Sequence, residues 1–358
     1  MRSMTKAAVL ALLMSTAPAH ALMPESGIFV IEGLGGVGLD LEIQDNLLGM
    51  GIYTYDPVTG DPLFYTSANF MEGDSHYEGT LDYNFGGSSL GGPFFQHTVI
   101  IGDGGNVTID FEDAHSGTIS FENIALAGLP EAKGTPAVYN FQRAFFGFGP
   151  SMIERLMGEW SITTDFGVFN PAFPFSGDVL IFDVFESTPE GDFIDGCRPA
   201  SILAGECTDA DVIAHGAVAA YDEVNEEFVV LLDDSTNFWM EFFFPVVGAR
   251  RADGVVEFYP KPDLHNNIFS PLRGLRTASR AFVTTGSGPA GDGDPSTLTR
   301  ASSKSLGNDS RALSIPSEPR VIEDPVEQQK VDRRRAFTAR LKQRLEQNKQ
   351  ERLNLSDE

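Results

Sequence analysis

Residues 33–48 read GLGGVGLDLEIQDNLL, and the way this stretch continues after its last glycine decides the fold. Gly33, Gly35 and Gly38 match the G-x-G-x-x-G spacing of loops that hold the pyrophosphate of a dinucleotide. Such a loop has to open a helix, because the helix N-terminus supplies the amide donors for the phosphates. Residues 39–44 instead alternate apolar and polar side chains, which is the period of a strand. We therefore interpret the glycines as a bend between strands.

Short segments of the same kind recur up to residue 285. They are separated by turns rich in Gly, Pro, Asp and Asn, such as QDN (44–46) and DPVTGDP (56–62). Many short strands at this spacing indicate antiparallel sheets that close on themselves and leave no exposed edge. The predicted fold class is all-β, with two consecutive antiparallel barrel or sandwich domains over residues 22–148 and 149–285.

Five motifs in the first half occur in a fixed order: GLDLEIQDN, YTYDPVTGDPLFY, YEGTLDY, SLGG and DAHSGTIS. Their order and spacing resemble a β-rich domain of uncharacterised exported bacterial proteins, mostly proteobacterial. The consensus of that family includes E-S-G-x-G-F-x-L-E-x-Q, Y-x-Y-D-x-x-G-x-P-x-W-Y, L-G-G and D-A-x-x-G-T-L. The chain departs from it at the paired tryptophans and N-P-x-E-S-G, where GIFVIEGLGG stands, and at Phe64, which replaces a later tryptophan. The family has no established activity, so the resemblance implies architecture and no particular chemistry.

The second half opens on GEW (158–160), and this G-x-W motif resembles the start of lipocalin-like barrels. In those barrels the tryptophan closes one end, and an arginine late in the last strand packs across it. The resemblance implies a structural plug of Trp160 with Arg276 or Arg280, both in the predicted last strand 274–285. Pro245 interrupts an apolar strand and predicts a sheet edge or a bulge, because proline cannot donate to the ladder.

The N-terminal MRSMTKAAVLALLMSTAPAHA combines two basic residues, a short apolar core and an Ala-x-Ala cleavage site. This pattern predicts a signal peptide over residues 1–21 and a periplasmic or extracellular protein. The apolar core is shorter than a membrane-spanning helix, so no transmembrane segment is expected after cleavage. The chain has two cysteines, Cys197 and Cys207, and export favours a disulfide between them.

Charge divides the chain into an acidic body and a mixed tail. Residues 22–285 contain 39 acidic and 10 basic side chains, whereas residues 286–358 contain 12 and 13. The acidic body argues against nucleic acid as a partner. Residues 286–325, rich in Gly, Ser, Pro and Asp, predict a disordered linker. Residues 326–354 predict a charged helix, whose narrow stripe of Phe337, Leu341 and Leu345 suits an envelope protein or a membrane surface. A solvated, partly frayed helix is the more common outcome for such a segment, and its basic face could also lie against the acidic body.

The sequence contains one candidate metal site and no recognisable catalytic motif. The histidines form no H-x-H, H-x-x-x-H or H-E-x-x-H pattern, and no serine stands in a nucleophile motif, so we predict no catalytic, cofactor-binding or His-based metal residues. In the predicted loop ESTPEGDFIDGC (186–197), Glu190, Asp192 and Asp195 could offer oxygens to Ca²⁺. A solvated loop without an ion is the alternative, because these acids lack the D-x-D-x-D-G spacing.

These observations favour a non-catalytic exported binding or envelope-associated module, whose β domains form a rigid scaffold and whose loops provide specificity. Two alternatives stay open. One is a carrier that holds a small apolar ligand inside the second barrel. The other is a hydrolase that uses two carboxylates in a cleft.

Overall fold

The computed structural model describes residues 24–285, 322 and 324–356, except for 57, 89, 127–128, 134–136, 147–148, 168–170, 172–173, 201–205 and 263. The predicted signal peptide and residues 286–321 of the predicted linker lie outside the described residues. The chain divides into two units, Met1–Ala144 and Phe145–Glu358, and each contains one closed antiparallel barrel. The predicted all-β fold class with two consecutive barrels and a C-terminal helix is therefore confirmed.

The first barrel is an eight-stranded antiparallel sheet in which each strand pairs with its neighbours and the first strand pairs with the last. Its strands are β1 (Gly27–Ile31), β2 (Gly38–Gln44), β3 (Leu47–Tyr55), β4 (Pro62–Phe70), β5 (His76–Gly86), β6 (His97–Phe111), β7 (Ser116–Glu122) and β10 (Ala137–Arg143). A two-stranded ribbon, β8 (Ala125–Leu126) and β9 (Leu129–Lys133), lies between β7 and β10 in the chain.

The glycine stretch that opens the sequence forms the turn between β1 and β2. Gly33 and Gly36 have φ angles of +79° and +82°, a region that glycine enters without steric cost. Strands β2 and β3 then pair antiparallel, with Leu41 opposite Met50. Leu39 and Leu41 are buried inside the barrel, while Asp40 and Glu42 face outward. The prediction of extended backbone after Gly38 is confirmed.

The second barrel repeats the closed eight-stranded arrangement. Its strands are β11 (Gly158–Asp165), β12 (Phe175–Thr188), β13 (Gly191–Cys197), β14 (Gly216–Asp222), β15 (Glu227–Ser235), β16 (Phe238–Val247), β17 (Arg251–Pro260) and β18 (Phe269–Ala278). A 3₁₀ turn (Met152–Leu156) precedes β11. The helices are α1 (Asp209–His215), α2 (Arg280–Thr285) and α3 (Pro325–Ser356). None of the described helices combines the length and apolarity needed to cross a bilayer.

The interior of the second barrel is filled by its own large side chains. They form one cluster of buried residues that includes Trp160, Phe182, Phe228, Phe242 and Phe244. Aromatic side chains of this size bury about 150–250 Å² each, so a few of them dominate the packing of a small barrel. The filled interior argues against a carrier that holds its ligand there.

Trp160 and Arg276, two residues of the predicted plug, contact one another in this barrel. The indole Nε1 of Trp160 donates to the carbonyl of Leu156 at 2.7 Å, and the guanidinium of Arg276 lies 4.3 Å from the centre of the Trp160 ring. Arg276 donates from Nε to the carbonyl of Ala249 at 2.7 Å. Its other nitrogens donate to the carbonyls of Met157 and Arg155. Arg276 thus joins the start of the barrel to its last strand.

Several element boundaries differ from the predictions. The last strand ends at Ala278, so Arg280 begins α2 and pairs with Glu154 of the 3₁₀ turn. The helix α1 was not predicted. The charged helix α3 begins at Pro325, one residue before the predicted start at 326, and ends at Ser356, two residues after the predicted end at 354. The register between β16 and β17 shifts between Phe243 and Val246, which confirms the bulge predicted at Pro245.

We expect Arg276→Met to lower the free energy of unfolding by about 2–4 kcal/mol, because three backbone carbonyls lose their donor and Trp160 loses its stacked cation. Arg273→Met, on the same strand, is the control. The Arg273 side chain is 74% exposed, and its loss should change the stability by no more than about 0.5 kcal/mol. Denaturant unfolding followed by tryptophan fluorescence measures both, and equal losses would contradict the assigned role.

Candidate functional site

The outer wall of the first barrel exposes a group of aromatic rings that we call the aromatic strip: Tyr53 and Tyr55 on β3 and Phe64 on β4. Tyr53 and Phe64 are direct cross-strand partners, with ring centroids 5.0 Å apart and planes inclined by 31°. Tyr53 is 53% and Tyr55 57% exposed. Scattered apolar side chains on a surface are ordinary, whereas adjacent exposed rings form a contiguous patch of the kind that binds ligands.

Glycines leave space beside these rings. Gly38 is the cross-strand partner of Tyr53 on β2, and Gly51 lies two residues before Tyr53 on β3. A Cβ added to Gly51 would lie 3.2 Å from the Phe64 ring, and one added to Gly38 would lie 3.7 Å from the Tyr53 ring. Because no side chain stands at these two positions, the Phe64 ring can pack against Gly51 and the Tyr53 ring against Gly38.

Polar side chains without cationic groups surround the aromatic strip. Asp40 on β2 is the cross-strand partner of Gly51, and Asn84 on β5 is the partner of Phe64. The Asn84 side-chain amide donates to Thr66 Oγ1 at 3.1 Å, and Asp82 Oδ1 accepts from the amide of Gly102 at 2.7 Å. The sequence has no Lys or Arg between residues 22 and 132. The surface therefore offers ring faces, carboxylates, an amide and a hydroxyl, on strands β2 to β5 that contain no Lys or Arg.

A second feature of the first barrel is a small apolar pocket of about 200 Å³. Its lining includes Ile52, Tyr65, Leu81, Phe121 and Tyr139. Burial raises the pKa of the Tyr65 phenol to about 12, so this hydroxyl stays neutral. Sites for drug-sized ligands have volumes of about 300–1,000 Å³, and this pocket is smaller.

In the second unit, α3 lies against the outer wall of the barrel. We call the residues beneath it the helix-covered face. Leu341 and Leu345 of α3 are fully buried. They pack with outward side chains of β13 to β17, namely Phe193, Val218, Ala220, Val229, Leu231, Trp239, Phe243 and Tyr259. The predicted stripe of Phe337, Leu341 and Leu345 is thus the face that α3 turns toward its own barrel.

Ion pairs join the basic side chains of α3 to this acidic barrel. Arg334 makes a bidentate contact with Glu227, from Nε at 2.7 Å and from Nη2 at 2.6 Å. Arg344 contacts Asp195 at 2.7 Å and also pairs with Glu186. Lys349 pairs with Asp233, and Arg352 with Asp209. The Arg334–Glu227 pair is deeply buried, so removal of either partner leaves an uncompensated charge, whereas an exposed pair contributes little.

Two carboxylates lie side by side on the helix-covered face. Glu241 on β16 and Glu257 on β17 are direct cross-strand partners, and they are only 1% and 3% exposed. His265 Nδ1 lies 2.9 Å from Glu257 Oε2. Glu257 Oε1 accepts from the backbone amides of Asn266 at 2.9 Å and Asn267 at 2.8 Å. One ligand atom from each of Glu241, Glu257 and His265 lies within 4.8 Å of the other two.

The cluster of Glu241, Glu257 and His265 was not predicted from the sequence. Desolvation and, after it, the neighbouring Glu257 raise the pKa of Glu241 well above its ordinary value. Lys342, Arg334 and a hydrogen bond from Tyr259 act in the opposite direction. A signal was present in the sequence: Glu241 in FWMEFFF and Glu257 in VVEFYP are lone acids in apolar strands. The cross-strand register that brings them together is not visible there.

The three acidic residues that the sequence suggested as calcium ligands, Glu190, Asp192 and Asp195, are not part of this cluster. Residues 191–197 form β13, so the prediction of a loop there is wrong. On a strand, Asp192 and Asp195 point to opposite faces, because they are three residues apart. Asp192 accepts a hydrogen bond from Ser187 at 2.6 Å, and Asp195 is paired with Arg344, while Glu190 stands in the turn between β12 and β13. The predicted disulfide between Cys197 and Cys207 is confirmed.

Comparisons of this chain with known protein families, curated proteins and solved structures do not identify its function. No protein-family model and no curated protein matches this chain. One solved structure with similarity is the Myxococcus xanthus hemagglutinin in complex with a3,a6-mannopentaose. It is 13% identical, the match covers 70% of this chain and 92% of that chain, and the TM-score is 0.15. A score this low carries no argument, so the function is argued below from the geometry of this chain alone.

We expect Arg334→Gln to loosen α3 from the barrel, because Glu227 would lose its bidentate partner in a buried position. The free energy of unfolding should fall by about 2–4 kcal/mol. Hydrogen exchange of the α3 amides should accelerate at the same time. Arg333→Gln removes the same charge from the exposed side of the helix and should leave both measurements unchanged. Equal effects of the two variants would show that the contact with Glu227 is unimportant.

A second prediction concerns the pH dependence of stability. Because the pKa of Glu241 is raised in the folded state, its contribution is fully present below the ordinary value of 4.5 and is lost as the pH rises through the folded pKa. Glu241→Gln should therefore be more stable than the parent protein at pH 8 and less dependent on pH between 5 and 8. Thermal unfolding across this range tests the prediction. The exposed Glu223→Gln is the control, and a parallel curve for both variants would refute it.

Proposed function

We propose that this protein is an exported, non-catalytic binding module, and that the aromatic strip on its first barrel binds a carbohydrate. The observation that carries the proposal is a pair of adjacent rings on the rigid outer wall: Tyr53 is 53% exposed, and the half-buried ring of Phe64 lies beside it against Gly51. A closed barrel holds such rings in place before the ligand arrives, which reduces the entropy lost on binding.

The chemistry of the surface suits a neutral sugar. The apolar C–H groups on one side of a pyranose ring can pack on the face of an aromatic ring, while its hydroxyl groups need donors and acceptors. Asp40, Asp82, Thr66 and Asn84 offer such groups next to the aromatic strip. Without a nearby Lys or Arg, a phosphorylated or sulfated ligand would meet only repulsion from the carboxylates.

Export is part of the proposal. It is supported by the predicted signal peptide and by the disulfide between Cys197 and Cys207, since disulfides persist in oxidising compartments. The resemblance of the first half to exported bacterial proteins points the same way. In the periplasm or outside the cell, a binding module of this kind would meet envelope or environmental polysaccharides.

The other functions find less support in the structure. A carrier would need space inside the second barrel, which large side chains fill. A carboxylate-based hydrolase would need its two acids in an open cleft, whereas Glu241 and Glu257 are buried beneath α3. An envelope protein that binds α3 would have to use its exposed basic side chains, because Leu341 and Leu345 already pack on the barrel.

The proposal is tested by affinity electrophoresis of the purified protein in gels that contain soluble neutral polysaccharides, followed by isothermal titration with the retarding polymer. Tyr53→Ala and Phe64→Ala should each weaken binding at least about tenfold, since removal of an aromatic anchor commonly costs more than 1 kcal/mol. Phe70→Ala is the matched control, because Phe70 is an exposed ring on the same strand as Phe64 outside the aromatic strip. Retardation by no polysaccharide, or equal loss in the control, would overturn the proposal.

A further inference from the structure

The outer wall of the first barrel contains a groove of about 690 Å³ where β4 and β5 separate, and we call it the polar groove. Among the described residues, these two strands pair over three positions, the last of which joins Thr66 to Asp82. Further along, the Asn69 side chain bridges the strands by donating to the backbone carbonyl of Glu78 at 2.9 Å. Because a side chain replaces the ladder there, the sheet has a depression in its outer surface.

The side chains of the polar groove can form hydrogen bonds with hydroxyl groups. The lining includes Asn69, Glu78, Thr80, Asn106, Thr108 and Glu122. Thr80, Asn106 and Glu122 are cross-strand neighbours on β5, β6 and β7, so they form one row across the sheet. Amides and hydroxyls donate and accept hydrogen bonds, carboxylates accept them, and neither Lys nor Arg is among the described residues that line the groove. With a volume inside the range of about 300–1,000 Å³ that is typical of ligand sites, the groove suits a neutral polar ligand.

The polar groove and the aromatic strip lie on the same face of the same sheet. On β4, Phe64, Thr66 and Ala68 all point outward, because side chains alternate along a strand. Phe64 belongs to the aromatic strip and Ala68 lines the groove, so the two features are about 14 Å apart at roughly 3.4 Å per residue. The cross-strand partners of Thr66 and Ala68 on β3 are Gly51 and Gly49. These small residues leave a shallow path along the wall between the rings and the groove.

We propose that the polar groove is a second subsite for the ligand of the aromatic strip, and that this ligand is an extended neutral polysaccharide rather than a single sugar. The inference rests on the carbohydrate binding proposed for the strip. One sugar ring packs against Tyr53 and Phe64, and later units of the same chain form hydrogen bonds in the groove. The carboxylates of Glu78 and Glu122 repel a negatively charged chain. The path turns from β4 toward β5 and β6, so Phe70 at the end of β4 lies outside it.

The test uses the full-length protein and isothermal titration. The probes are oligosaccharides, from the monosaccharide to the hexasaccharide, cut from whichever of dextran, mannan and hydroxyethylcellulose retards the protein in affinity electrophoresis. The hexasaccharide should bind at least about tenfold more tightly than the disaccharide, because a second linked contact acts at a high effective concentration. Asn106→Ala and Thr108→Val should each weaken hexasaccharide binding about threefold to tenfold, as expected for one hydrogen bond, and leave disaccharide binding unchanged. Tyr53→Ala should weaken the binding of both sugars.

Asn140→Ala is the matched control, because Asn140 is an exposed amide on β10 outside the polar groove, and this variant should bind the hexasaccharide as the parent protein does. Equal affinity for the disaccharide and the hexasaccharide, or full hexasaccharide binding by the groove variants, would overturn the second subsite and leave the aromatic strip as the binding site. If none of the polysaccharides retards the parent protein, the proposed function and this inference both fall. The chain-length series needs no variant, so it tests the inference even where a substitution disturbs the barrel.

Discussion

The outer wall of the second barrel is apolar, and this is the constraint on which the second unit depends. In β15, Val230 and Leu232 point into the barrel, while Val229 and Leu231 point outward and are equally buried. Leaving such a side chain in water costs about 1.5–3 kcal/mol. A strand that is apolar on both faces therefore needs a second layer, and α3 supplies it with Leu341 and Leu345.

The electrostatics of the second unit follow from this covering. The barrel is acidic and α3 is basic, so the helix brings opposite charges together while it excludes water. Where the geometry is bidentate, as at Arg334 and Glu227, the pair compensates its own burial. At Glu241 the same covering removes water from a carboxyl group that stands opposite Glu257, and this desolvation raises the pKa of Glu241. One layer of packing thus creates both the bidentate pair and the buried carboxyl group with a raised pKa.

The two barrels use their outer walls differently. In the first barrel the outward positions of β2 are polar, and those of β3 and β4 combine small residues with exposed rings. Nothing among the described residues of the first unit plays the part that α3 plays in the second. This difference agrees with the proposal of ligand binding by the first barrel, whereas α3 packs on the second barrel. A rigid scaffold with a preformed surface requires no movement of the chain on binding.

The sequence by itself determined the features that depend on neighbouring residues. Alternation after Gly38 predicted strands, two cysteines in a chain with a predicted signal peptide predicted a disulfide, and the spacing of Leu341 and Leu345 indicated one apolar helix face. The G-x-W resemblance also drew attention to Trp160 and Arg276, which the structure stacks together. Only the tertiary structure decided which surface covers that helix face, that β13 replaces the expected loop, and that Glu241 stands opposite Glu257. The reason is physical: side-chain alternation is a local property of the backbone, whereas strand register and helix docking join residues that are far apart in the chain.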